Sequence, residues 1–363
     1  MGFERAGFEI MLVNEYSPAF MSIYKYAREQ MGINPPKHGY FNCDINCFLK
    51  GLGRKKLNLL IQDDKKDGLV GFIGGPPCPD FSIAGKNEGI TGENGRLTTS
   101  YKNLILREMP DFFVFENVKG LWSTKKHREE YEKLKASFKR KGYLLIDKLV
   151  NSLEYGVPQE RERVILFGIH KELCNKTPNE IRELFSTQFN WGNNMHYSAT
   201  EIKAMNWPKQ SPFQENVDTQ CPEGVIKELT IEYWFKKNEV YTHPNANDYF
   251  LPRQGKEKMA TICEGDVSKK SFKRLHRWRY SPTVAYGNNE VHLHPYKSRR
   301  LSVAEALALQ SLPSGFVINP ILSLTDKFKT IGNGVPYLMS NAIAGKIKEF
   351  LESNVDEKSV KER

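Results

Sequence analysis

The sequence is poor in cysteine and has no long apolar run. Its six cysteines are scattered along 363 residues apart from one C-x3-C pair, which argues against a disulfide framework and a zinc site. No stretch approaches the ~20 apolar residues that a bilayer-spanning helix needs. No G-x-G-x-x-G follows a predicted strand, so a dinucleotide-dependent oxidoreductase is disfavoured. Because no basic segment followed by an apolar one opens the sequence, we expect no secretory signal, no membrane association and a cytoplasmic location.

Positive charge exceeds negative charge. Lys and Arg number 53 against 43 Asp and Glu, and the formal net charge of +10 favours a polyanionic partner. Hydrophobic residues make up 39% of the chain, which is enough to form a core. At ~150 residues per domain, the length allows two to three domains.

The first half of the chain has an α/β pattern. From Phe8 to about His170, short β-branched or aromatic runs alternate with longer amphipathic stretches, which predicts βαβ units and a mostly parallel sheet. The predicted strands are Glu9 to Val13, Val70 to Ile73, Phe112 to Phe115, Tyr143 to Leu149 and Val164 to Ile169. The predicted helices are Ser100 to Met109, with Thr98 and Thr99 as N-caps, and Arg128 to Lys141.

The pattern changes after residue 170. Residues 171–298 mix Pro, Asn, Trp and Tyr without a clear period, which predicts a second, smaller and irregular domain. Within it we expect a hairpin formed by Tyr280 to Tyr286 and Asn288 to His294. His292 and His294 would lie side by side there, but no third ligand is evident and we expect no metal site.

Helical signals return in residues 299–352, which we assign to the same domain as residues 1–170. A capping box runs from Ser302 to Glu305, and Tyr337 to Leu351 is predicted as the closing helix. Residues 353–363 form a charged tail that we expect to fray.

The sharpest local feature is the segment Gly74-Gly-Pro-Pro-Cys-Pro-Asp-Phe-Ser82, directly after a predicted strand. Prolines fix φ, so Cys78 is expected on a stiff turn at the carboxyl end of a strand, where open α/β sheets place their sites. A buried structural cysteine is the alternative. The setting favours a thiolate nucleophile, of the kind that adds to C6 of a pyrimidine and makes C5 nucleophilic.

Two further polar clusters adjoin predicted strands. Phe112 to Val118 ends in Glu116 and Asn117, where a carboxylate can hydrogen-bond a ring nitrogen or simply cap the next helix. In Gln159-Glu-Arg-Glu-Arg163, alternation puts Gln159, Arg161 and Arg163 on one side, so two guanidinium groups can face one site. A solvated charged strand edge is the alternative.

Together these clusters resemble the cytosine-5 DNA methyltransferase family of bacterial restriction-modification systems, over about two thirds of the chain. The matching segments, in chain order, are Gly74 to Ser82, Glu116 to Val118, Gln159 to Arg163, Arg299 to Pro313 and Ile331 to Pro336. Pro79, Ser302 and Gly334 stand where the family frequently has glutamine, threonine and alanine. The resemblance implies a Rossmann-like S-adenosylmethionine-dependent fold with helices on both faces of the sheet, and a target-recognition domain at residues 171–298.

The resemblance also assigns site residues. It implies that Cys78 adds to C6 of a flipped-out cytosine, that Glu116 contacts N3 and the exocyclic amine, and that Arg161 and Arg163 hold the O2 side and orient Glu116. The residues that it implies for S-adenosylmethionine are Glu15, Tyr16, Asp44, Ile45, Pro77, Leu97, Asn333 and Val335.

Double-stranded DNA is the expected partner. The residues that we expect to contact DNA are Ser82 and Gln159 near the active site, and Lys269, Lys270, Lys273, Arg274, Arg277 and Arg279 in a basic segment with interleaved aromatic residues. A solvated basic face is the alternative for that segment. We expect a monomer that acts beside a restriction endonuclease of the same specificity.

One part of the family pattern has no counterpart. The family opens with a strand and a Phe-x-Gly-x-Gly-Gly loop, whereas Met1 to Glu9 resembles the segment that follows that loop. The resemblance therefore implies that a central strand and part of the cofactor site are missing, with impaired activity. A catalytically impaired DNA-binding remnant and a tRNA cytosine-5 methyltransferase are the competing hypotheses. The 171–298 region favours DNA over tRNA, because a reader domain needs that space.

Overall fold

The computed structural model describes residues 1–76, 95–187, 189, 191, 195–251, 256–269, 271–284, 286 and 291–355. The described strands are β1 (Val13–Asn14), β2 (Tyr40–Phe41), β3 (Gly71–Gly74), β4 (Phe112–Val118), β5 (Tyr143–Asn151) and β6 (Glu162–His170). The described α-helices are α1 (Gly2–Arg5), α2 (Pro18–Gln30), α3 (Gly51–Asp64), α4 (Gly95–Glu108), α5 (Lys119–Ser123), α6 (Lys125–Arg140), α7 (Pro178–Thr187), α8 (Ala199–Ala204), α9 (Ile231–Lys237), α10 (Lys256–Ala260), α11 (Val303–Leu309), α12 (Leu324–Asn333) and α13 (Tyr337–Asn354).

The strands form two sheets. β1 pairs with β2 in parallel, and a separate four-stranded sheet has the order β3-β4-β6-β5. In that sheet β3 runs parallel to β4, whereas β6 is antiparallel to both β4 and β5. The expectation of a mostly parallel sheet is therefore corrected for these four strands. Only β3 and β4 are parallel, because β6 lies between β4 and β5 and runs antiparallel to both. The implied missing strand stays a prediction.

Helices cover both faces of the four-stranded sheet because successive side chains of β4 point to opposite faces. Phe113 and Phe115 belong to one buried cluster, together with residues of α4 and α6. Phe112 and Val114 belong to another, together with residues of α7 and α13. This arrangement agrees with the predicted two-sided α/β architecture.

Four of the five predicted strands are confirmed, as β3 to β6, and one is wrong. The strand expected at Glu9 to Val13 is reduced to Val13–Asn14, because only these two residues pair with Tyr40–Phe41.

Both predicted helices of the first half are confirmed, as α4 and α6, but the predicted N-caps are wrong. α4 already begins at Gly95, so Thr98 and Thr99 lie inside it. The Thr99 hydroxyl donates to Gly95 O instead of capping the helix. In α6, the expected apolar side chains Tyr131, Leu134 and Phe138 are buried.

The capping box before α11 is confirmed. Glu305 N donates to Ser302 Oγ over 3.3 Å, and Ser302 N donates to Glu305 Oε2 over 2.7 Å. The closing helix is confirmed as α13.

The hairpin predicted at Tyr280 to His294 is wrong within the part of it that the structure describes. Ser281 bridges to Gln159, and Leu293 bridges to Arg274 and Arg300, so each segment pairs elsewhere. Residues 171–298 also share a buried cluster with residues 299–352, since Trp234 and Leu275 pack with Leu301 and Phe328. The domain boundaries stay a prediction. No helix in the described ranges is long and apolar enough to cross a membrane.

Candidate active site

Glu116 lies at the edge of the sheet where the carboxyl ends of β3 and β4 meet. A Cβ atom built on Gly75 would lie 2.5 Å from Glu116 Oε2, so this carboxylate rests directly over the backbone of Gly75. Gly75 precedes Cys78 by three residues. Pro77, Cys78 and Ser82 lie outside the described residues, so their assignments stay predictions.

Arg163 holds the other oxygen of this carboxylate. Its Nε atom donates to Glu116 Oε1 over 2.9 Å, and its Nη1 atom donates to Glu162 O over 2.7 Å. In the antiparallel ladder Arg163 lies opposite Val118 and Glu116 opposite Ile165, so the pair are diagonal neighbours on one face. The side chains of Arg163 and Glu116 are only 13% and 20% exposed, which strengthens their attraction. Glu116 is thus fixed between a guanidinium group and a glycine.

Gln159 and Arg161 have different surroundings from those predicted. Arg161 is 1% exposed, and its Nη1 and Nη2 atoms donate to Val284 O and Gly332 O over 2.9 and 2.8 Å. Burial, together with the charge of Arg163, lowers the pKa of Arg161. Gln159 is fully buried, and its side chain bonds to Val284 N and Leu309 O. The predictions that Gln159 contacts DNA and Arg161 holds the base are therefore corrected, since both side chains bond inside the protein.

The residues predicted for the adenosine part of the cofactor lie at the carboxyl ends of β1 and β2. Asn42 Nδ2 donates to Glu15 O and Tyr16 O over 2.7 and 3.0 Å, which joins the two loops. Tyr16 is 74% exposed and offers a free aromatic face. The Asp44 carboxylate is exposed, and it accepts from Asn46 through Oδ1. The Tyr16 ring suits stacking on an adenine, and the Glu15 and Asp44 carboxylates of the same two loops can accept hydrogen bonds from an amine or from ribose hydroxyls.

The other predicted cofactor residues fall into two groups. Ile45 and Leu97 are half-buried and lie on neighbouring elements, which are joined by a 2.8 Å hydrogen bond from Ser100 Oγ to Asn46 Oδ1. Asn333 is exposed at the end of α12, and Val335 follows, half-buried. The residues present therefore fit S-adenosylmethionine, although each individual assignment stays a prediction.

The basic segment of the second region is only partly available to DNA. Arg274 is fully buried, and its guanidinium group donates to the carbonyls of Ile262, His294, Lys297 and Met259.

Arg277 is 3% exposed and forms a two-pronged ion pair with Glu264, with both contacts at 2.9 Å. The prediction that Arg274 and Arg277 hold phosphates is thus contradicted, because their donors are already used inside the protein.

The remaining basic residues stay predictions. Lys269 is exposed, Lys273 is half-buried, and the half-buried Arg279 lies over Tyr280, with 5.3 Å to the ring centroid. Lys270 lies outside the described residues.

The two histidines of this region are buried. His294 Nε2 lies 3.4 Å from Glu305 Oε1, and His292 packs edge-on against Tyr286. Burial lowers the pKa of both imidazoles. No cluster of three residues able to hold a metal ion is found in the part of the chain that the structure describes.

Sequence reasoning did not assign a role to Gly75, Gln310 or Gly332. The pair of glycines before the Pro-Pro-Cys turn was the one available signal for Gly75. Gln310 and Gly332 lie within two of the matching segments, but their partners, Ile331 O and Arg161, could be found only from the fold.

The fold is that of known methyltransferases. A protein described as a DNA modification methyltransferase, encoded within a prophage of E. coli, has a crystal structure with a TM-score of 0.63 at 20% identity. The comparison covers 97% of this chain and 95% of that one. The Dnmt2 methyltransferase of S. pombe has a TM-score of 0.56 at 14% identity, with 97% and 95% coverage. At these identities the comparison shows that the chain has the fold of these two structures.

The family follows from sequence comparison. The model of the C-5 cytosine-specific DNA methylase family matches residues 1–349. Type II methyltransferase M.NmeDI of Neisseria meningitidis serogroup C is 50% identical over 360 residues, which are 98% of this chain and 82% of that protein. M.FnuDI of Fusobacterium nucleatum is 28% identical, over 97% of this chain and 91% of its own length. The chain therefore belongs to the C-5 cytosine-specific DNA methylase family, and its substrate is DNA.

Proposed function

We propose that the chain is the modification enzyme of a restriction-modification system and methylates C5 of a cytosine within one duplex DNA sequence. The main observation behind the assignment of catalytic residues is the position of the Glu116 carboxylate. It is fixed between Arg163 and Gly75, and Gly75 lies three residues before Cys78 in the sequence. The target base must leave the stack, because its C5 and C6 atoms cannot be reached inside a duplex.

The proposed reaction begins with attack of the Cys78 thiolate on C6. Glu116 in its protonated form donates its proton to N3 and accepts a hydrogen bond from the exocyclic amine, so that proton takes up the electron pair that addition pushes towards N3. Arg163 fixes the orientation of Glu116. S-adenosylmethionine, when bound, supplies the methyl group that the activated C5 accepts. Transfer of the C5 proton to a solvent water then expels the Cys78 thiolate and restores the aromatic ring, and N3 returns its proton to Glu116.

Labelled methyl transfer to mixed-sequence duplex DNA tests the function, with the same assay on tRNA as comparison. We expect transfer to DNA, abolished in Cys78→Ser and reduced in Glu116→Gln. DNA containing 5-fluorocytosine should trap a covalent complex, because fluorine cannot leave as a proton does. Transfer to tRNA alone would contradict the DNA assignment. DNA binding with a steep salt dependence but no cofactor binding would indicate a remnant without activity.

We further propose that the enzyme acts as a cytoplasmic monomer beside an endonuclease of the same specificity. Relatives named as type II methyltransferases support the endonuclease. Sedimentation equilibrium tests the oligomeric state. Cleavage of unmethylated but not methylated DNA by a coexpressed neighbouring nuclease tests the pairing.

A further inference from the structure

Gln159 and Arg161 are buried polar side chains beside the active site that the proposed reaction does not use. Both precede Arg163 in the segment that leads into β6. Burying an amide or a guanidinium group is unfavourable unless its hydrogen bonds are satisfied, so their partners indicate what they do.

The Gln159 side chain joins two segments that are distant in sequence. Its Nε2 atom donates to Leu309 O over 3.1 Å and to Gln310 Oε1 over 3.2 Å. Its Oε1 atom accepts from Val284 N over 3.0 Å. One amide therefore holds both the end of the second region and the end of α11 against the chain that leads into β6.

Gln310 and Arg161 hold the last turn of α12. Gln310 Nε2 donates to Ile331 O over 2.6 Å, and Arg161 Nη2 donates to Gly332 O over 2.8 Å. A Cβ atom built on Gly332 would lie 2.8 Å from Tyr286 N, so α12 and the second region touch backbone to backbone here. Asn333 and Val335 follow directly, and the position of this turn sets theirs.

The geometry requires an arginine. Arg161 donates from separate nitrogens to Val284 O and Gly332 O, whose residues belong to different segments. A planar guanidinium group has two separate Nη atoms that can donate in different directions, whereas a lysine side chain has only one donor nitrogen. Because both Nη atoms are bonded to main-chain carbonyls, these donors are not available to a substrate base.

We propose that Gln159, Arg161 and Gln310 form a clamp of positioning residues. The clamp fastens residues 281–284 and 331–333 to the start of β6, and it thereby sets Asn333 and Val335 at a fixed position relative to Arg163. The clamp rests on the proposed function in so far as Asn333 and Val335 bind S-adenosylmethionine.

Two variants test the clamp. Arg161→Lys keeps the charge but reaches only one carbonyl, and Gln310→Leu removes the bonds to Ile331 O and Gln159. Arg182→Met and Gln62→Leu are matched controls, because both side chains are exposed. Titration calorimetry measures the Kd for S-adenosylmethionine, and methyl transfer to DNA measures kcat at saturating cofactor. Amide hydrogen exchange of the free protein measures the protection of residues 330–334.

We expect both clamp variants to weaken cofactor binding about tenfold, with kcat at saturation within about twofold of the wild type. Exchange at residues 330–334 should accelerate about tenfold, while α6 keeps its protection. An unchanged Kd with a much lower kcat in Arg161→Lys would overturn the clamp and return Arg161 to the substrate base. Unchanged exchange in both variants would overturn it as well.

The exchange measurement separates the two proposals. If the wild type neither binds S-adenosylmethionine nor methylates DNA, the proposed function fails, and exchange in the free protein still decides whether the clamp exists. If the wild type is active and exchange does not respond to the substitutions, only the clamp fails. A variant that does not fold is replaced by the other, since the two remove different hydrogen bonds.

Discussion

Arg163 Nε donates to Glu116 Oε1 over 2.9 Å across the antiparallel pair of β6 and β4. The contact joins the segment Glu116 to Val118 to the segment Gln159 to Arg163, and it leaves the other oxygen of the Glu116 carboxylate against Gly75. Because a strand carries each partner, the carboxylate is oriented by the regular geometry of the sheet. The same geometry gives the first two predictions.

Arg163→Met should lower kcat about a hundredfold, because it removes the group that orients Glu116 for the base. Cofactor affinity should change little. Methyl transfer at saturating DNA and cofactor measures kcat, and calorimetry measures the affinity. Lys119→Met is the control, since it removes a half-exposed ion pair with Glu162 that contributes ~0–1 kcal/mol. Equal kcat values for the two variants would show that Arg163 has no role in the reaction.

Gly75→Ala should lower kcat by about ten to a hundredfold, because the new methyl group displaces Glu116 Oε2 from its place. The thermal midpoint should stay close to that of the wild type. Gly68→Ala is the matched control, since a Cβ atom there would meet nothing within 4 Å. Normal turnover in Gly75→Ala would mean that the carboxylate does not need this position.

Features carried by neighbouring residues could be predicted from the sequence. The capping box depends only on Ser302 and Glu305, three residues apart, and the strand that begins at Phe112 follows from its own run of apolar residues. Both signals are local, and both are confirmed.

Features that depend on distant partners could not be predicted. The sequence predicts that Arg274 and Arg277 contact DNA, because nothing within their own segment shows that they are buried. The acid that pairs with Arg277 is Glu264, upstream of the segment, and the carbonyls that bind Arg274 have no sequence signature. Gln159 meets Leu309 across 150 positions, and only the fold brings the two together. The types of side chain therefore predicted which residues belong to the candidate site, but the hydrogen-bond partners of those residues could be found only from the structure.

Arg277→Met should destabilise the protein by about 3–5 kcal/mol, because it removes the guanidinium group that neutralises the buried Glu264 carboxylate. Urea unfolding measures the loss. The exposed Lys269→Met should leave the free energy of unfolding unchanged, while lowering the salt slope of DNA binding by about one if Lys269 contacts a phosphate. The reverse pattern, with Arg277→Met stable and its salt slope reduced, would restore Arg277 as a DNA contact.

His292 should make the protein less stable in acid. Burial, reinforced by the charges of Lys273 and Arg300, lowers the pKa of His292 from 6.5 to about 3. Below pH 6.5 the His292 imidazole therefore binds a proton in the unfolded chain but not in the folded protein. The stability that this group contributes is fully present above pH 6.5 and is lost as the pH falls towards 3. The slope is about 1.4 kcal/mol per pH unit, or about 2 kcal/mol between pH 7 and pH 5.

Urea unfolding between pH 5 and pH 8 tests this expectation in His292→Gln and in the exposed control His196→Gln. His292→Gln should flatten the decline by about one proton's contribution, whatever its stability at pH 8, because glutamine does not titrate. The buried neighbour His294, whose pKa burial also lowers, should keep part of the slope. If His292→Gln and the wild type lose stability at the same rate below pH 6.5, the His292 imidazole is already protonated in the fold, and its burial against Tyr286 does not exclude the charge.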